Sequence, residues 1–212
     1  MKSDRKSIAI VFDDHHLFAD SFSALIEHLE LFQAVHMFNH ERDLQQFLIK
    51  NSQAHIHIFI DFYLKEKNAL PIINEVRRLN RQTAIIVVSS VANPTTVAHI
   101  MNYTPQGIVS KSSGFDTIIE CIATIKRGKQ YVCPVIREII STSKDQPKEL
   151  PFTARELEVL QHFARGLSIA QTAERMLLSK HTIVAHRRKM MFKASVNSIT
   201  ELLAYARTHE LI

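Results

Sequence analysis

Three aspartates follow short apolar runs in the first third of the chain, where carboxylates can act together. Asp13 and Asp14 stand side by side after the run Ile8–Phe12, and Asp61 follows the run 56–60. Adjacent carboxylates repel each other, which raises the pKa of at least one of them unless a cation is present. Mg²⁺ takes oxygen ligands and suits a site that also holds a phosphoryl group. The three aspartates therefore predict a Mg²⁺ site.

Short apolar runs alternate with longer amphipathic runs through the first 130 residues. They predict strands at 8–12, 33–38, 56–60, 84–89 and 107–110 and helices at 17–29, 41–50, 69–79, 95–101 and 115–127. Five successive strand–helix units predict an α/β fold, a flavodoxin-like doubly wound sheet of five parallel strands. In its strand order, 2-1-3-4-5, the first and third strands are neighbours, so the three aspartates converge on one crevice.

Two further strand ends carry groups that suit a phosphoryl ligand. Ser89 ends the predicted fourth strand, and Lys111 follows the fifth. A hydroxyl and an ammonium at these positions can bind the oxygens of a phosphoryl group on Asp61.

The remaining residues of possible chemical interest give weaker signals. His15 and His16 border the acidic site and are interpreted as residues that cap or enter the first helix. His55 and His57 share a strand face, but no cysteine or carboxylate near them in the sequence completes a zinc-like cluster. The four glycines form no phosphate-cradling motif, which argues against a P-loop or dinucleotide site.

The composition changes after residue 130. We interpret 131–150 as a linker because its later part is polar, contains two prolines and has no periodicity. Residues 151–212 predict helices only, so the chain divides into a first domain at 1–130 and a small all-α domain at 151–212. In the latter, TARE and SIAQ are capping boxes, Ser179 can cap a third helix, and the short connections suit a helix-turn-helix.

The third helix of the last domain, KHTIVAHRRKMMFK, suits the major groove of DNA. Ile183, Met190 and Ala194 share one face at helical spacing and are expected to pack inward. The predicted DNA-contacting residues are His181, Val184, Ala185 and Arg188 for bases and Lys180, Thr182 and Lys189 for phosphates. An arginine can pair with guanine and small apolar groups can contact thymine methyls, while the phosphate contacts position the helix.

Charge and composition restrict the class of protein further. The last 62 residues carry 9 Lys and Arg against 5 Asp and Glu, whereas residues 1–130 carry 14 against 13. A basic C-terminal domain favours an acidic partner such as DNA. No run reaches the ~18 apolar residues of a membrane span, and two cysteines imply no disulfide framework. We therefore expect a cytoplasmic protein with no membrane partner.

The motifs DDHH, IDFYLK, VVSS and GIVSK, with their spacing, resemble the receiver domain of bacterial two-component response regulators. The resemblance implies that Asp61 accepts a phosphoryl group from a sensor histidine kinase. It implies a Mg²⁺ ligand set of Asp13, Asp14, Asp61 and the backbone carbonyl of Tyr63. Ser89 and Lys111 would then sense the phosphoryl group.

The last domain resembles the LuxR/NarL-type helix-turn-helix. Its hallmarks in this chain are Thr153, Arg155, Glu156, Val159, Leu160, Gly166, Ser168, Ala173, Ser179, Thr182, His186, Lys193 and the pair Glu201-Leu202. Together the two resemblances identify the chain as a NarL-type response regulator, not an enzyme. They imply a phosphorylation-controlled transcription regulator that binds inverted-repeat or paired half-sites on DNA as a homodimer.

Two alternatives remain open. Where receivers usually have a proline after the acceptor motif, a Gly-Ala pair and an aromatic residue, this chain has Lys65, Thr104-Pro105 and Ile108. A regulator that binds DNA without phosphate, with the receiver serving for dimerisation, would fit these departures. A haloacid-dehalogenase-type phosphatase would use Asp61 as nucleophile, but DFYLK lacks the second acid of that motif.

Overall fold

The computed structural model describes residues 7–64, 67–91, 94–142, 152–209 and 211–212. The chain divides into two compact units, one made of 1–92 with 103–142 and the other of 93–102 with 143–212. None of the helices in the described part of the chain combines the length and hydropathy that a bilayer crossing requires.

The first unit contains a parallel sheet. Its strands are β1 (Ile8–Phe12), β2 (Ala34–Phe38), β3 (Ile56–Asp61), β6 (Thr83–Ser89), β7 (Gly107–Ser110) and β8 (Tyr131–Val132). Two further strands, β4 (Tyr63–Leu64) and β5 (Lys67–Asn68), form a separate two-stranded hairpin between β3 and β6. The strand order is β2-β1-β3-β6-β7-β8. Neighbouring strands in this sheet are all parallel. The predicted neighbourhood of the first and third strands is confirmed.

Helices connect the strands and form the rest of the chain. They are α1 (His16–His28), α2 (Glu41–Lys50), α3 (Leu70–Leu79), α4 (Pro94–Asn102), α5 (Phe115–Lys126), α6 (Pro134–Thr142), α7 (Ala154–Ala164), α8 (Ile169–Arg175), α9 (Lys180–Lys193) and α10 (Ile199–Thr208). Every residue of β3 is buried, as expected for a strand that is covered on both faces.

The sheet has six strands, so the prediction of five is wrong. The additional strand is β8, whose Tyr131 and Val132 pair with Gly107 and Ile108 of β7. The predicted linker at 131–150 therefore begins too early, because β8 and then α6 occupy its first part. Its remaining residues, from 143 onward, lie outside the described residues. A strand of two residues, Tyr131 and Val132, is too short to show a periodic pattern in the sequence.

The helical domain begins as its capping motifs predict. Thr153 and Ser168 form complete capping boxes with Glu156 and Gln171 at the starts of α7 and α8. The Ser179 side chain accepts a hydrogen bond from the backbone N–H of Thr182 at the start of α9. These caps satisfy backbone donors that the first turn of a helix leaves without partners.

The buried carboxylate of Glu156 ties α7 to α9. The side chain is 3% exposed, and its Oε2 accepts hydrogen bonds from Lys193 Nζ at 2.6 Å and from the Thr153 backbone N–H at 2.8 Å. Burial alone would raise the pKa of Glu156, but these hydrogen bonds outweigh burial and hold the pKa below its ordinary value. The ionised form is therefore the one that the folded domain stabilises.

Removing the partner of this carboxylate should destabilise the helical domain. We expect Lys193→Met to lower the free energy of unfolding by about 2 kcal/mol near neutral pH, because Glu156 would stay buried and ionised without its cation. A depressed carboxyl pKa contributes stability above the unfolded pKa and loses it as pH falls through the folded pKa. The difference between variant and wild type should therefore shrink in acid.

Urea unfolding of the full chain, followed by the amide NMR signals of α7 and α9, measures this effect. Lys189→Met, which removes an exposed lysine from the same helix, is the matched control. Equal stability of the Lys193 and Lys189 variants at neutral pH would contradict the role of the ion pair.

Candidate functional site

Three carboxylates meet at the carboxyl end of the sheet. β1 and β3 are paired neighbours with Phe12 opposite Ile60, so Asp13 and Asp61 leave the sheet side by side. Both are almost completely buried, with 1% and 3% of their surfaces exposed, and Asp14 is half-buried beside them. The predicted convergence of the three aspartates is thus what the structure shows.

Lys111 directly follows β7, and its side chain contacts two of these carboxylates. Its Nζ donates hydrogen bonds to Asp13 Oδ2 at 2.7 Å and to Asp61 Oδ2 at 2.8 Å. The same ammonium lies 4.1 Å from the centroid of the Phe18 ring on α1, a cation–π contact that sequence reasoning did not find. The sequence does not predict this contact, because Phe18 has the pattern of an ordinary apolar residue of α1.

Burial and the neighbouring charge of Lys111 act in opposite directions on the pKa of the Asp61 carboxyl group. Burial raises its pKa above the ordinary value and nearby Asp13 adds to the rise, whereas the hydrogen bond and charge of Lys111 act in the opposite direction. Lys111 thus does most to favour the ionised, nucleophilic form of Asp61, and the backbone N–H of Tyr63 adds to this effect.

Removing this ammonium should change the titration of Asp61. We expect Lys111→Met to raise the Asp61 pKa further, because the hydrogen bond and the positive charge that favour the carboxylate are lost. Carboxyl carbon NMR titration of metal-free protein measures the shift. Lys129→Met, at an exposed lysine of the same unit, should leave the titration of Asp61 unchanged. An Asp61 pKa that stays the same or falls in Lys111→Met would contradict this account.

Ser89 and Tyr63 lie at the same edge as the acidic cluster. Ser89 ends β6 fully buried, its Oγ accepts a hydrogen bond from Val91 N–H at 3.2 Å, and its carbonyl accepts one from Lys111 N–H at 2.9 Å. The Tyr63 N–H donates to Asp61 Oδ1 at 3.4 Å. These contacts tie the loops after β3 and β6 to the acidic site.

His15 is part of the acidic cluster, which corrects its interpretation as a helix-entry residue alone. It occupies the N-cap position of α1, but its side chain makes no capping hydrogen bond to the described residues of that helix. Its Nδ1 lies instead 3.1 Å from Asp14 Oδ1 and 3.2 Å from Asp13 Oδ1. In the sequence, the run Asp-Asp-His places His15 directly after two of the acidic residues. Because a helix begins at the next residue, the sequence favoured a capping role for His15 over a contact between its ring and the carboxylates.

The donor set of this crevice fits a divalent cation. One ligand atom from each of Asp13, Asp14, His15 and Asp61 lies within 4.8 Å of the others. Carboxylate oxygens are the ligands that Mg²⁺ prefers, and a half-open cluster leaves coordination positions for water or phosphoryl oxygens. The chemistry of the residues therefore agrees with the Mg²⁺ site expected from the sequence.

The helix-turn-helix forms a second candidate site, for nucleic acid. Ile183 and Met190 of α9 are fully buried as predicted, whereas Ala194 is half-buried at the C-cap of this helix. The predicted DNA-contacting residues divide into an exposed set, Lys180, His181, Ala185, Arg188 and Lys189, and a half-buried set, Thr182 and Val184. The Thr182 hydroxyl is also hydrogen-bonded to the Ser179 hydroxyl at 2.8 Å, so it takes part in the start of α9.

The exposed face of α9 carries basic side chains. The helix has 14 residues, and its buried side packs on α7 and α8, so the opposite side faces outward. Arg188 and Ala185, about one turn apart, are exposed, as are Lys180 at the start of the helix and Lys189 next to Arg188. Such a slim basic face can enter the major groove.

Comparison with known families matches both parts of the chain. Residues 9–123 match the model described as response regulator receiver domain, and residues 150–206 match bacterial regulatory proteins, luxR family. The two matches cover the acidic crevice and the helix-turn-helix respectively.

Individual relatives agree with the family matches. The chain is 28% identical to the Fimbriae Z protein of Salmonella typhimurium over 73% of this chain and 75% of the relative. It is 24% identical to the DNA-binding transcriptional activator EvgA of Escherichia coli over 73% and 76%. RcsB from Salmonella enterica serovar Typhimurium, bound to promoter rprA with a phosphomimetic, has a similar fold (TM-score 0.68, 23% identity, 94% of this chain and 98% of that chain).

Proposed function

Because the chain belongs to the response regulators that join a receiver domain to a luxR-family regulatory domain, we propose that phosphorylation of Asp61 controls its binding to DNA. The observation that carries the proposal is the buried Asp61 carboxylate, whose Oδ2 lies 2.8 Å from the ammonium of Lys111 in a cluster of further carboxylates. Families of this kind are transcription regulators, and the DNA-binding transcriptional activator EvgA is an example.

The phosphoryl group would come from a phosphohistidine of a sensor histidine kinase. An Asp61 carboxylate oxygen attacks the phosphorus, a P–O bond forms, the P–N bond breaks, and the leaving imidazole takes up a proton. Lys111 would then bind one phosphoryl oxygen and the Ser89 hydroxyl another, a proposal supported by the pairing of β6 with β7, whose ends carry these two residues.

A divalent cation completes the charge balance of this site. Asp13, Asp14, Asp61 and the backbone carbonyl of Tyr63 are the proposed ligands of Mg²⁺, which neutralises charge on the phosphoryl oxygens when bound. Asp13 and Asp61 are held by Lys111, so their carboxylates are already oriented toward one crevice.

The helical domain would read DNA as part of a homodimer. Arg188, Ala185, Val184 and His181 are the proposed base contacts, and Lys180, Thr182 and Lys189 the proposed phosphate contacts. Two copies would place two α9 helices on inverted-repeat or paired half-sites. Solved complexes of RcsB with DNA support this part of the proposal by analogy of fold.

One observation favours the alternative in which DNA binding does not need phosphate. Thr104, which stands where the family usually has glycine, adopts φ 44°, and its carbonyl accepts a hydrogen bond from Arg77 at 2.8 Å. Ile108 is fully buried in β7 at the position of the usual aromatic residue. The turn before β7 is therefore tied to α3 by a contact that does not involve the acidic site. Lys65 lies outside the described residues.

One experiment separates the two functions. The full chain is incubated with Mg²⁺ and a small phosphodonor, intact mass is measured, and affinity is measured in the same samples for duplexes selected from a random pool. A phosphoryl adduct with a change in DNA affinity or dimerisation supports the switched regulator. An adduct with unchanged DNA binding supports the alternative, and no adduct in the presence of Mg²⁺ contradicts the proposed acceptor chemistry.

A further inference from the structure

The imidazole of His15 lies at the mouth of the acidic crevice, although 60% of its side chain is exposed. An exposed side chain of this kind is free to turn toward solvent, yet Nδ1 approaches three carboxylates. It lies 3.1 Å from Asp14 Oδ1, 3.2 Å from Asp13 Oδ1 and 3.9 Å from Asp61 Oδ2.

The backbone holds His15 in this position. Its N–H donates to Asp13 Oδ1 at 2.8 Å, which closes a tight turn between β1 and α1. The next histidine, His16, begins α1 and has its Nδ1 3.3 Å from the side-chain amide of Asn39. Two adjacent histidines therefore have different surroundings, and His15 is the one placed on the carboxylates.

Two of the three distances from Nδ1 match those between adjacent ligands of one ion. Adjacent ligands of an octahedral ion with bonds of about 2.1 Å are separated by about 3 Å, and opposite ligands by about 4.2 Å. The separations of 3.1 and 3.2 Å from Nδ1 to Asp14 and Asp13 are those of adjacent ligands. The 3.9 Å separation to Asp61 lies between the adjacent and opposite values. Nδ1 is therefore placed to share one ion with oxygens of Asp13 and Asp14, and Asp61 Oδ2 must move slightly to join the same shell.

We infer that His15 Nδ1 is a direct ligand of the divalent cation, so that this receiver site has a mixed nitrogen and oxygen donor set. The inference rests on the proposed function, since it adds a ligand to the same metal site. Imidazole favours first-row transition ions over Mg²⁺ because these ions bind nitrogen more strongly. The site should therefore select Mn²⁺ and similar ions over Mg²⁺ more strongly than three carboxylates and a carbonyl would.

Mn²⁺ is a suitable probe because its binding can be followed without any phosphoryl transfer. Electron paramagnetic resonance of the full chain counts free Mn²⁺ in a titration at one neutral pH, and pulsed measurements detect the hyperfine coupling of a bound imidazole nitrogen. Mg²⁺ affinity is obtained from competition against Mn²⁺. The variants are His15→Ala, the matched control His16→Ala, and Asp13→Asn.

We expect wild type and His16→Ala to show the nitrogen coupling and His15→Ala to lose it. Mn²⁺ affinity should fall about tenfold or more in His15→Ala, while Mg²⁺ affinity should change several-fold less. Asp13→Asn should weaken both ions, since it removes an oxygen ligand.

Two results would overturn the inference while leaving the metal site in place. One is the absence of nitrogen coupling in wild type that binds Mn²⁺ in an Asp13-dependent manner. The other is Mn²⁺ binding by His15→Ala as tight as in wild type or tighter, which would show that the ring occupies the crevice and leaves when the ion enters. Wild type that binds neither ion would overturn both this inference and the proposed Mg²⁺ site.

Discussion

Asp61→Asn will take up no phosphoryl group from a small phosphodonor under conditions in which the wild-type chain is phosphorylated. The amide lacks the nucleophilic carboxylate oxygen, while its size leaves the 3%-exposed site packed as before. Any change of DNA affinity on addition of the phosphodonor should disappear with the adduct. Intact mass and DNA titration of the same samples measure both effects.

Asp20→Asn is the control for this variant, because it removes an exposed carboxylate from the same unit and should be phosphorylated as wild type is. An adduct on the Asp61 variant would place the acceptor at another residue. Unphosphorylated Asp61→Asn should keep the basal DNA affinity of wild type, since the substitution does not touch the helical domain.

Arg188→Ala is expected to weaken binding to a selected DNA duplex by about 10- to 100-fold. Arg188 is exposed on α9, and a bidentate arginine–guanine pair contributes roughly 1–3 kcal/mol of discrimination. The loss should be confined to duplexes that carry the preferred base at one position, so that specificity there relaxes. Fluorescence anisotropy with a set of single-base variants of the duplex measures both effects.

Lys189→Ala is the matched comparison on the same helix. A lysine that binds phosphate contributes equally to all sequences, so this variant should weaken every duplex to a similar degree and reduce the salt slope by about one. If Arg188→Ala shows the same uniform weakening, Arg188 contacts the DNA backbone and another residue of α9 reads the bases.

The proposed charge on phosphorylated Asp61 explains why the site needs both Lys111 and a metal ion. Asp13, Asp14 and Asp61 bring up to three negative charges into one crevice, and a phosphoryl group replaces one of them with about two. Lys111 supplies one positive charge, which leaves a deficit that a divalent cation can fill. Phosphorylation should therefore raise the affinity for the cation, and the two events are expected to be linked.

The five long parallel strands and the convergence of the aspartates could be predicted from local pattern. Ile8–Phe12 and Gly107–Ser110 were predicted with the bounds that the structure has. Strands buried on both faces need consecutive apolar residues, and the parallel topology then carries whatever follows each strand to one edge. The capping boxes of α7 and α8 were equally visible, because the side chain and the backbone group that it satisfies lie within four residues of each other.

Contacts between residues distant in the chain were decided by the tertiary structure. β8 owes its existence to hydrogen bonds with β7, since two residues have no periodicity of their own. His15 Nδ1 lies 3.9 Å from Asp61 Oδ2, 46 residues away, because β1 and β3 are paired. The Lys111 ammonium reaches Phe18 because β7 ends and α1 begins at the same edge. Residue type and spacing thus determined which side chains could bind a metal ion, accept a phosphoryl group or contact DNA. The packing of the sheet and its helices determined which of them meet, because contact distances of 3–4 Å depend on elements that the local sequence does not connect.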